Sequence, residues 1–587
     1  MNLENEPSAE GVGRSAAIPV AIGAVAGLFQ PEDATSTPRE AAVLLLPPWG
    51  FEEMCTRKFY RILAEHLAAS GMPSLRFDYP GTGDSAGSPA DEHALSDWVD
   101  AAIAASRQLK ALSQRPRIIL LGQGIGAMIA QLAGNRIEAV DAIVMLAPAL
   151  SGRAYLREVG LWSRVVDQGL GLREDQRDAD GVSIAGLRMP RTIVDELRRT
   201  DIAKPVAVPR CLVLERAARL TDTRLPDALR ALGTDVTLEA FDGYDELVLN
   251  PTFQKIPMAA VDRVVKWLAG GNRPVARPPA PGKSGAAEIA GPGYRERLVR
   301  FGSHDHVYGV ICMPDRKTDT RSVLLLGTSY DRSAGWARAG VETARALATR
   351  GIASLRYDSA NVGDSPPVIG DPQQVLYSET QKADARAAVD LMEAEFGSGI
   401  VVAGRCSGAY LALRAALADK RVAGVVSINP FVFYWDPSRS LDAELRFVPR
   451  SLEDYGQRFA RLDTLKRLVS GKIDVAAAAR NILIAAGRRL ARAATPLMGL
   501  LPRAKGAGQE AIRTFDGFAA RRIPVSLIYG DGDVGLDDLR RHFGESGSAL
   551  RRYSNVRLTM LADTDHNITP PASRASVLEE IVRVARG

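Results

Sequence analysis

The sequence runs to 587 residues, 46% of them apolar and 24% charged, which describes a globular chain too long for one hydrophobic core and excludes a disordered one. A formal net charge of +5 with no long basic run argues against a nucleic-acid partner, which wants a concentrated cationic face. Four scattered cysteines, Cys55, Cys211, Cys312 and Cys406, lack paired metal-ligand spacing and read as free thiols of a reducing compartment, with no metal and no cofactor expected.

In chain order, the first apolar run spans Ala17 to Phe29. Glu4, Glu6 and Glu10 outnumber Arg14 ahead of it, so a cationic leader is missing, and the run is too short to cross a bilayer. It predicts two entering strands and a cytoplasmic protein. Short apolar runs then predict strands near 43–47, 74–79, 117–122, 141–147, 210–215 and 236–241, with helical patterns between them such as 57–69 and 94–112. The segment Arg273-Pro274-Val275-Ala276-Arg277-Pro278-Pro279-Ala280-Pro281-Gly282 reads as an exposed, semi-extended linker. Beyond it the alternation begins again, with strands predicted near 323–327, 354–358, 400–404, 424–429, 525–530 and 556–561.

The second series repeats the first. Ala42-Val43-Leu44-Leu45-Leu46 returns as Ser322-Val323-Leu324-Leu325-Leu326, Ser74-Leu75-Arg76-Phe77-Asp78 as Ser354-Leu355-Arg356-Tyr357-Asp358, and Gly83-Asp84-Ser85 as Gly363-Asp364-Ser365, always 280 residues on. One register held so long implies two copies of one domain, 16–270 and 294–587, joined by a linker over 271–293. Strands alternating with helices imply an α/β fold, a mainly parallel sheet covered on both faces in each copy, with active groups gathered where strands end. The Gly-Asp-Ser turns, present in both copies, read as structural turn and cap residues. Each copy also carries an insertion after the strand that follows its central turn. The larger, at about 433–522, reads as a helical cap over a substrate pocket. Its stretch Asp474 to Leu501, with Arg480, Arg488, Arg489 and Arg492, also admits a peripheral contact with an anionic membrane.

Gly404-Arg405-Cys406-Ser407-Gly408 stands between the apolar run Ile400-Val401-Val402-Ala403 and an alanine-rich helical pattern from Ala409 to Leu417. Strand, sharp turn and helix are the setting of a nucleophile elbow, whose small residues two before and two after the nucleophile let the backbone bend. An inert core thiol would also follow a buried strand. The rest of the set separates the two readings. A thiol nucleophile needs a base and a group that orients the base, and in an elbow-type sheet both follow later strands, acid first. Asp531-Gly532-Asp533 follows the run 525–530, and Asp563-Thr564-Asp565-His566 follows 556–561. His566 is therefore assigned as base and Asp533 as its orienter, with Asp531 and Asp538 as alternatives for the acid. The backbone N–H of Ser407 and the loop of Thr328 and Ser329 are the expected oxyanion donors. In the first copy Gly124 replaces the thiol, Ala218 falls opposite Asp533 and Glu246 opposite His566. A copy that keeps the fold without the chemistry points to packing against the second copy or contact with another protein.

Pro47-Pro48-Trp49-Gly50-Phe51-Glu52-Glu53 and Asp78-Tyr79-Pro80-Gly81-Thr82-Gly83-Asp84-Ser85 belong to the first copy. Gly404-Arg405-Cys406-Ser407-Gly408-Ala409-Tyr410, Asn429-Pro430 and Asp565-His566-Asn567-Ile568-Thr569-Pro570 belong to the second. Through these the chain resembles two fused α/β-hydrolase domains of the serine-aminopeptidase-like branch, and is similar to hydrolases associated with bacterial exosortase and exopolysaccharide loci. Cysteine in place of the commoner serine resembles dienelactone hydrolases and polyester synthases. The resemblance implies hydrolysis of ester or thioester bonds through a covalent acyl-enzyme, or acyl transfer to a polysaccharide or carrier, on a small-molecule, acyl or glycan substrate. A non-catalytic interaction protein is the remaining alternative.

Overall fold

Short apolar runs become strands, buried on both faces at the centre of the sheet and partly exposed at its edges. In the first copy these are β1 (Ile18–Ile22), β2 (Val25–Gln30), β3 (Ala41–Leu46), β4 (Ser74–Phe77), β5 (Arg117–Gln123), β6 (Val140–Leu146), a separate hairpin of β7 (Val182–Ile184) and β8 (Leu187–Met189), then β9 (Arg210–Glu215) and β10 (Asp235–Ala240). The sheet runs β1-β2-β4-β3-β5-β6-β9-β10, with β2 antiparallel to both neighbours and the rest parallel. Ala42, Leu44 and Leu46 of β3 join one core, with Trp98, Leu109 and Ile129; Ala41, Val43 and Leu45 join the opposite one, with Phe59, Leu63 and Val261. That two-sided burial is why β3 reads as a continuous apolar run rather than an alternating one.

The structure, a computed structural model, describes residues 15–176, 182–202, 205–220, 222–252, 254–279, 286–316, 318–368, 375–436 and 507–587. In the second copy the strands are β11 (Glu288–Gly291), β12 (Tyr294–Phe301), β13 (Val307–Pro314), β14 (Val323–Leu326), β15 (Ser354–Tyr357), β16 (Ile400–Arg405), β17 (Val422–Ile428), β18 (Val525–Gly530) and β19 (Val556–Leu561). Their order is β11-β12-β13-β15-β14-β16-β17-β18-β19, antiparallel up to β15 and parallel beyond it. The repeat persists in the register: Val43↔Ser74 and Leu44↔Leu75 in the first sheet recur as Val323↔Ser354 and Leu324↔Leu355 in the second.

Two expectations change. The segment expected as an exposed linker over 271–293 lies partly against the first copy. Val275 N–H donates to Pro38 O and Glu40 N–H to Arg273 O, both at 2.9 Å, and buried Asn272 accepts from Ala41 N–H at 3.1 Å. These bonds satisfy backbone groups at the entry to β3 that would otherwise lack partners. The second sheet also begins before residue 294, because β11 pairs with β12 across a tight turn. Of the cap expected at about 433–522, residues 437–506, with Arg480, Arg488, Arg489 and Arg492, lie outside the described residues. No described helix is long and apolar enough to cross a membrane.

Contacts divide the chain into two compact units. One, Met1–Pro430 with Ile523–Asp533 and Asn555–Gly587, holds both sheets. The other is Phe431–Arg522 with Val534–Ser554. Within that smaller unit Phe433, Phe515 and Phe543 pack edge to face at centroid distances of 4.9 to 5.6 Å.

Inside the larger unit the copies meet reciprocally. Arg76 Nε donates to Asp364 at 3.2 Å, and its repeat counterpart Arg356 donates through Nη2 to Asp84, the counterpart of Asp364, also at 3.2 Å. All four side chains are at most 2% exposed. The Gly-Asp-Ser turns are thus structural, though they cap no helix: each Asp faces the other copy. Ser85 Oγ and Ser365 Oγ bond back to Asp78 O and Asp358 O at 2.6 and 2.7 Å.

Candidate active site

Strand β16 ends at Arg405, and helix Ser407–Ala418 begins one residue later. Cys406 is the hinge between them, at φ 55° and ψ −117°. A non-glycine residue in that region is strained, and the strain lifts its side chain out of the sheet edge. The flanking glycines are steric necessities. A Cβ on Gly404 would lie 2.4 Å from Gly408 O, and one on Gly408 would lie 2.5 Å from Gly327 O.

Two later loops bring the predicted partners to this hinge. Asp533 follows β18 and is fully buried; its Oδ2 lies 2.5 Å from His566 Nδ1 in the loop after β19. The Cys406 thiol and the imidazole are near enough to shift each other's ionisation. Burial pushes the Cys406 thiol up, but the charge and hydrogen bond of His566, the Arg405 guanidinium and the Ser407 backbone N–H outweigh it, holding the thiol below its ordinary value. Burial alone would lower His566; the facing thiolate and the bond to Asp533 raise it to about 10. Both shifts run in the direction of a thiolate beside an imidazolium. Cys406 is half-buried and the His566 ring about one-third exposed.

The alternative acids lie elsewhere. Asp531 accepts from Asp563 N–H at 3.2 Å, and Asp538 accepts from Phe433 N–H at 2.9 Å within the smaller unit. The expected oxyanion donors are near the hinge but occupied. Ser407 N–H, at the start of the helix, helps hold the thiol down. Ser329 N–H, on a left-handed residue at φ 49°, donates to Ser407 Oγ at 2.8 Å, and Thr328 Oγ1 donates to Arg405 O at 2.9 Å.

Three residues given no role from sequence hold the base. Asn429 donates to His566 O at 3.0 Å and accepts from Gly530 N–H at 2.9 Å, tying the histidine loop to β18. Arg405 donates to Asn567 Oδ1 at 2.6 Å and pairs with Asp331 at 3.3 Å. Asp331 itself is raised by burial against the pull of Arg405 and His566. The available signals were an arginine inside a turn of small residues and a polar Asn429-Pro430 at the end of β17.

The first copy keeps the turn without the thiol. Gly124 has φ 54° and ψ −118°, the backbone angles of Cys406 within a degree. A Cβ there would stand 2.5 Å from Glu52 Oε2. Glu52 fills the place instead, accepting from Gln123 Nε2 at 2.9 Å and Tyr244 OH at 3.0 Å. Ala218 lies in the short 3-10 turn Ala217–Arg219 just after β9, and Glu246 in the short helix Tyr244–Leu247.

Comparison with known families bears on the fold of both copies. Residues 37–176 match the serine aminopeptidase S33 family, and residues 323–580 match the alpha/beta hydrolase family. The chain is a tandem α/β-hydrolase. Solved structures similar to the tandem hydrolase include an esterase of Pyrococcus furiosus, at 16% identity and a TM-score of 0.31, covering 50% of this chain and 92% of that one. A soluble variant of a monoglyceride lipase from Saccharomyces cerevisiae has 13% identity and a TM-score of 0.32, covering 46% and 98%. An α/β serine hydrolase without a lid from Xanthomonas campestris has 15% identity and a TM-score of 0.29, covering 44% and 93%. No curated protein matches the tandem hydrolase.

Proposed function

We propose that the second copy hydrolyses ester or thioester bonds with Cys406 as nucleophile, His566 as acid and base, and Asp533 as the group that orients His566. The observation that carries this is Cys406 at a strained elbow, with His566 in the loop after β19 bonded at 2.5 Å to the buried Asp533; the directions in which the thiol and imidazole are shifted agree with it. The Cys406 thiolate attacks the substrate carbonyl carbon, and the electron pair moves to the carbonyl oxygen. Collapse of that intermediate breaks the bond to the leaving alkoxide or thiolate, which takes the proton of His566 as it departs. Neutral His566 then removes a proton from water. The resulting hydroxide attacks the acyl-sulfur carbonyl, and the Cys406 thiolate leaves. For the oxyanion, Ser407 N–H at the helix start is one donor, and Ser329 N–H becomes a second if Ser407 Oγ releases it.

A short-chain p-nitrophenyl ester should place one acyl group on Cys406, seen by intact mass, and none on Cys406→Ala. With the thiol depressed and the imidazole raised, iodoacetamide labelling of Cys406 should begin at a lower pH than for a free cysteine. Acyl transfer should decline as His566 loses its proton near pH 10. His566→Ala should move the labelling onset upward and slow acylation by about 100-fold or more. Labelling that is indifferent to His566 would leave Cys406 a packed thiol.

A further inference from the structure

The segment that follows Ser329 leaves the second copy's site and runs into the first copy. Arg332, 7% exposed at its side chain, donates to Glu53 at 2.8 Å and to Asp78 and Asp84 at 3.0 Å each. Arg338 reaches Gly83 O, Ser85 O and Gly87 O at 2.8, 2.5 and 2.7 Å. Trp336 is buried among apolar residues of the first copy, edge-on to Phe51. A loop carrying a proposed oxyanion donor is thus fixed at its far end by side chains of the copy that has no nucleophile.

The connection continues to the base. Asp331, next to Arg332, pairs with Arg405, and Arg405 holds Asn567 and reaches His566 O at 3.4 Å. A second contact approaches the histidine loop from the other side. Arg173 pairs with Asp563 at 2.5 Å and Gln176 donates to Asp563 O at 2.8 Å, both from the first copy's insertion. Two loops must therefore stay in place for the proposed chemistry, and the first copy holds both.

We infer that the first copy is a positioning partner built into the chain, whose Glu53, Asp78 and Asp84 seat the oxyanion loop through Arg332 and whose Arg173 and Gln176 seat the histidine loop. This rests on the reading of Cys406 as nucleophile. Since a misplacement of about 1 Å costs on the order of 100-fold in rate, partial release of either loop should be measurable.

The test uses the full chain and two variants. Arg332→Lys keeps the charge but loses the fork that spans three carboxylates, and should slow acylation by the p-nitrophenyl ester about 10-fold while the pH onset of Cys406 alkylation stays where it is. Arg173→Ala with Gln176→Ala alters exposed side chains, so the fold should survive, and should both slow acylation and raise that onset, because it releases the loop of the base. Should Arg332→Lys fail to fold, the Arg173 and Gln176 pair decides alone. Equal loss of acylation and alkylation in every folded variant marks general loosening and overturns the inference, as does acylation at the wild-type rate. Wild-type protein that forms no acyl adduct with the ester removes the Cys406 reading itself, a different failure.

Discussion

Glu52 sits where the first copy's nucleophile would be, and its carboxyl is buried with two donors on it, Gln123 and Tyr244. Burial raises it to about 7 from an ordinary value of 4.5; the two hydrogen bonds and Arg216 oppose the rise, and Glu158 adds to it. The folded state therefore holds this proton more tightly than the unfolded chain does. Stability from Glu52 is complete below about pH 4.5 and is lost as pH rises through about 7, a loss of about 3 kcal/mol by pH 8. Glu52→Gln keeps the shape and one acceptor oxygen while removing the charge. It should raise the melting temperature at pH 8 and leave it nearly unchanged at pH 5; an equal shift at both would show that ionisation is not the cause. In the sequence Glu52 is an acid in the first turn of a helix, where acids are common. Its burial depends on partners 71 and 192 residues away, which no local pattern shows.

At the scale of the element, the elbow was the most legible part of the chain because its constraints are local. Gly404 and Gly408 are demanded by backbone oxygens within 3 Å of any Cβ, and the strand and helix on either side follow from apolar pattern and alanine content. His566 and Asp533 were legible by position, each just past a late strand. Asn429 and Arg405 were not, because their work is to bind backbone of another loop. The first copy keeps the elbow turn with Gly124 at its apex. Gly124→Cys would have the backbone angles of Cys406 but would bring its Cβ to 2.5 Å from Glu52, with no imidazole placed to receive a proton. The variant should lose about 1–3 kcal/mol to overpacking in chemical denaturation. Its new thiol, beside a carboxylate, should react with iodoacetamide more slowly than free cysteine. Fast labelling at 124 would mean that the turn alone activates a thiol.

At the scale of the whole chain, the constant offset of 280 announced two copies but not how they face each other. The one hint was a charge inside each buried strand, Arg76 in Ser74-Leu75-Arg76-Phe77 and Arg356 in Ser354-Leu355-Arg356-Tyr357. Such a residue breaks the apolar run and is retained only with a partner, since stranding one member of a buried ion pair costs about 3–5 kcal/mol. The partners, Asp364 and Asp84, are supplied crosswise, and apolar residues of both copies, among them Leu28, Ile289, Leu298 and Val310, form a shared cluster beside them. Reciprocal pairing of equivalent residues is the pattern of an isologous interface, in which one surface meets its own counterpart. It follows that the second copy already carries both halves of the contact, Arg356 and Asp364. Residues 286–587 made without the first copy would keep the Arg356–Glu296 pair at 2.6 Å but would leave buried Asp364 without Arg57 and Arg76, whereas in two such chains Arg356 of each can reach Asp364 of the other. The separated second copy should therefore sediment as a dimer, and Asp364→Asn, which removes the charge left without a partner, should shift it toward monomer; a stable folded monomer of the unsubstituted copy would show that the crosswise pairs are dispensable.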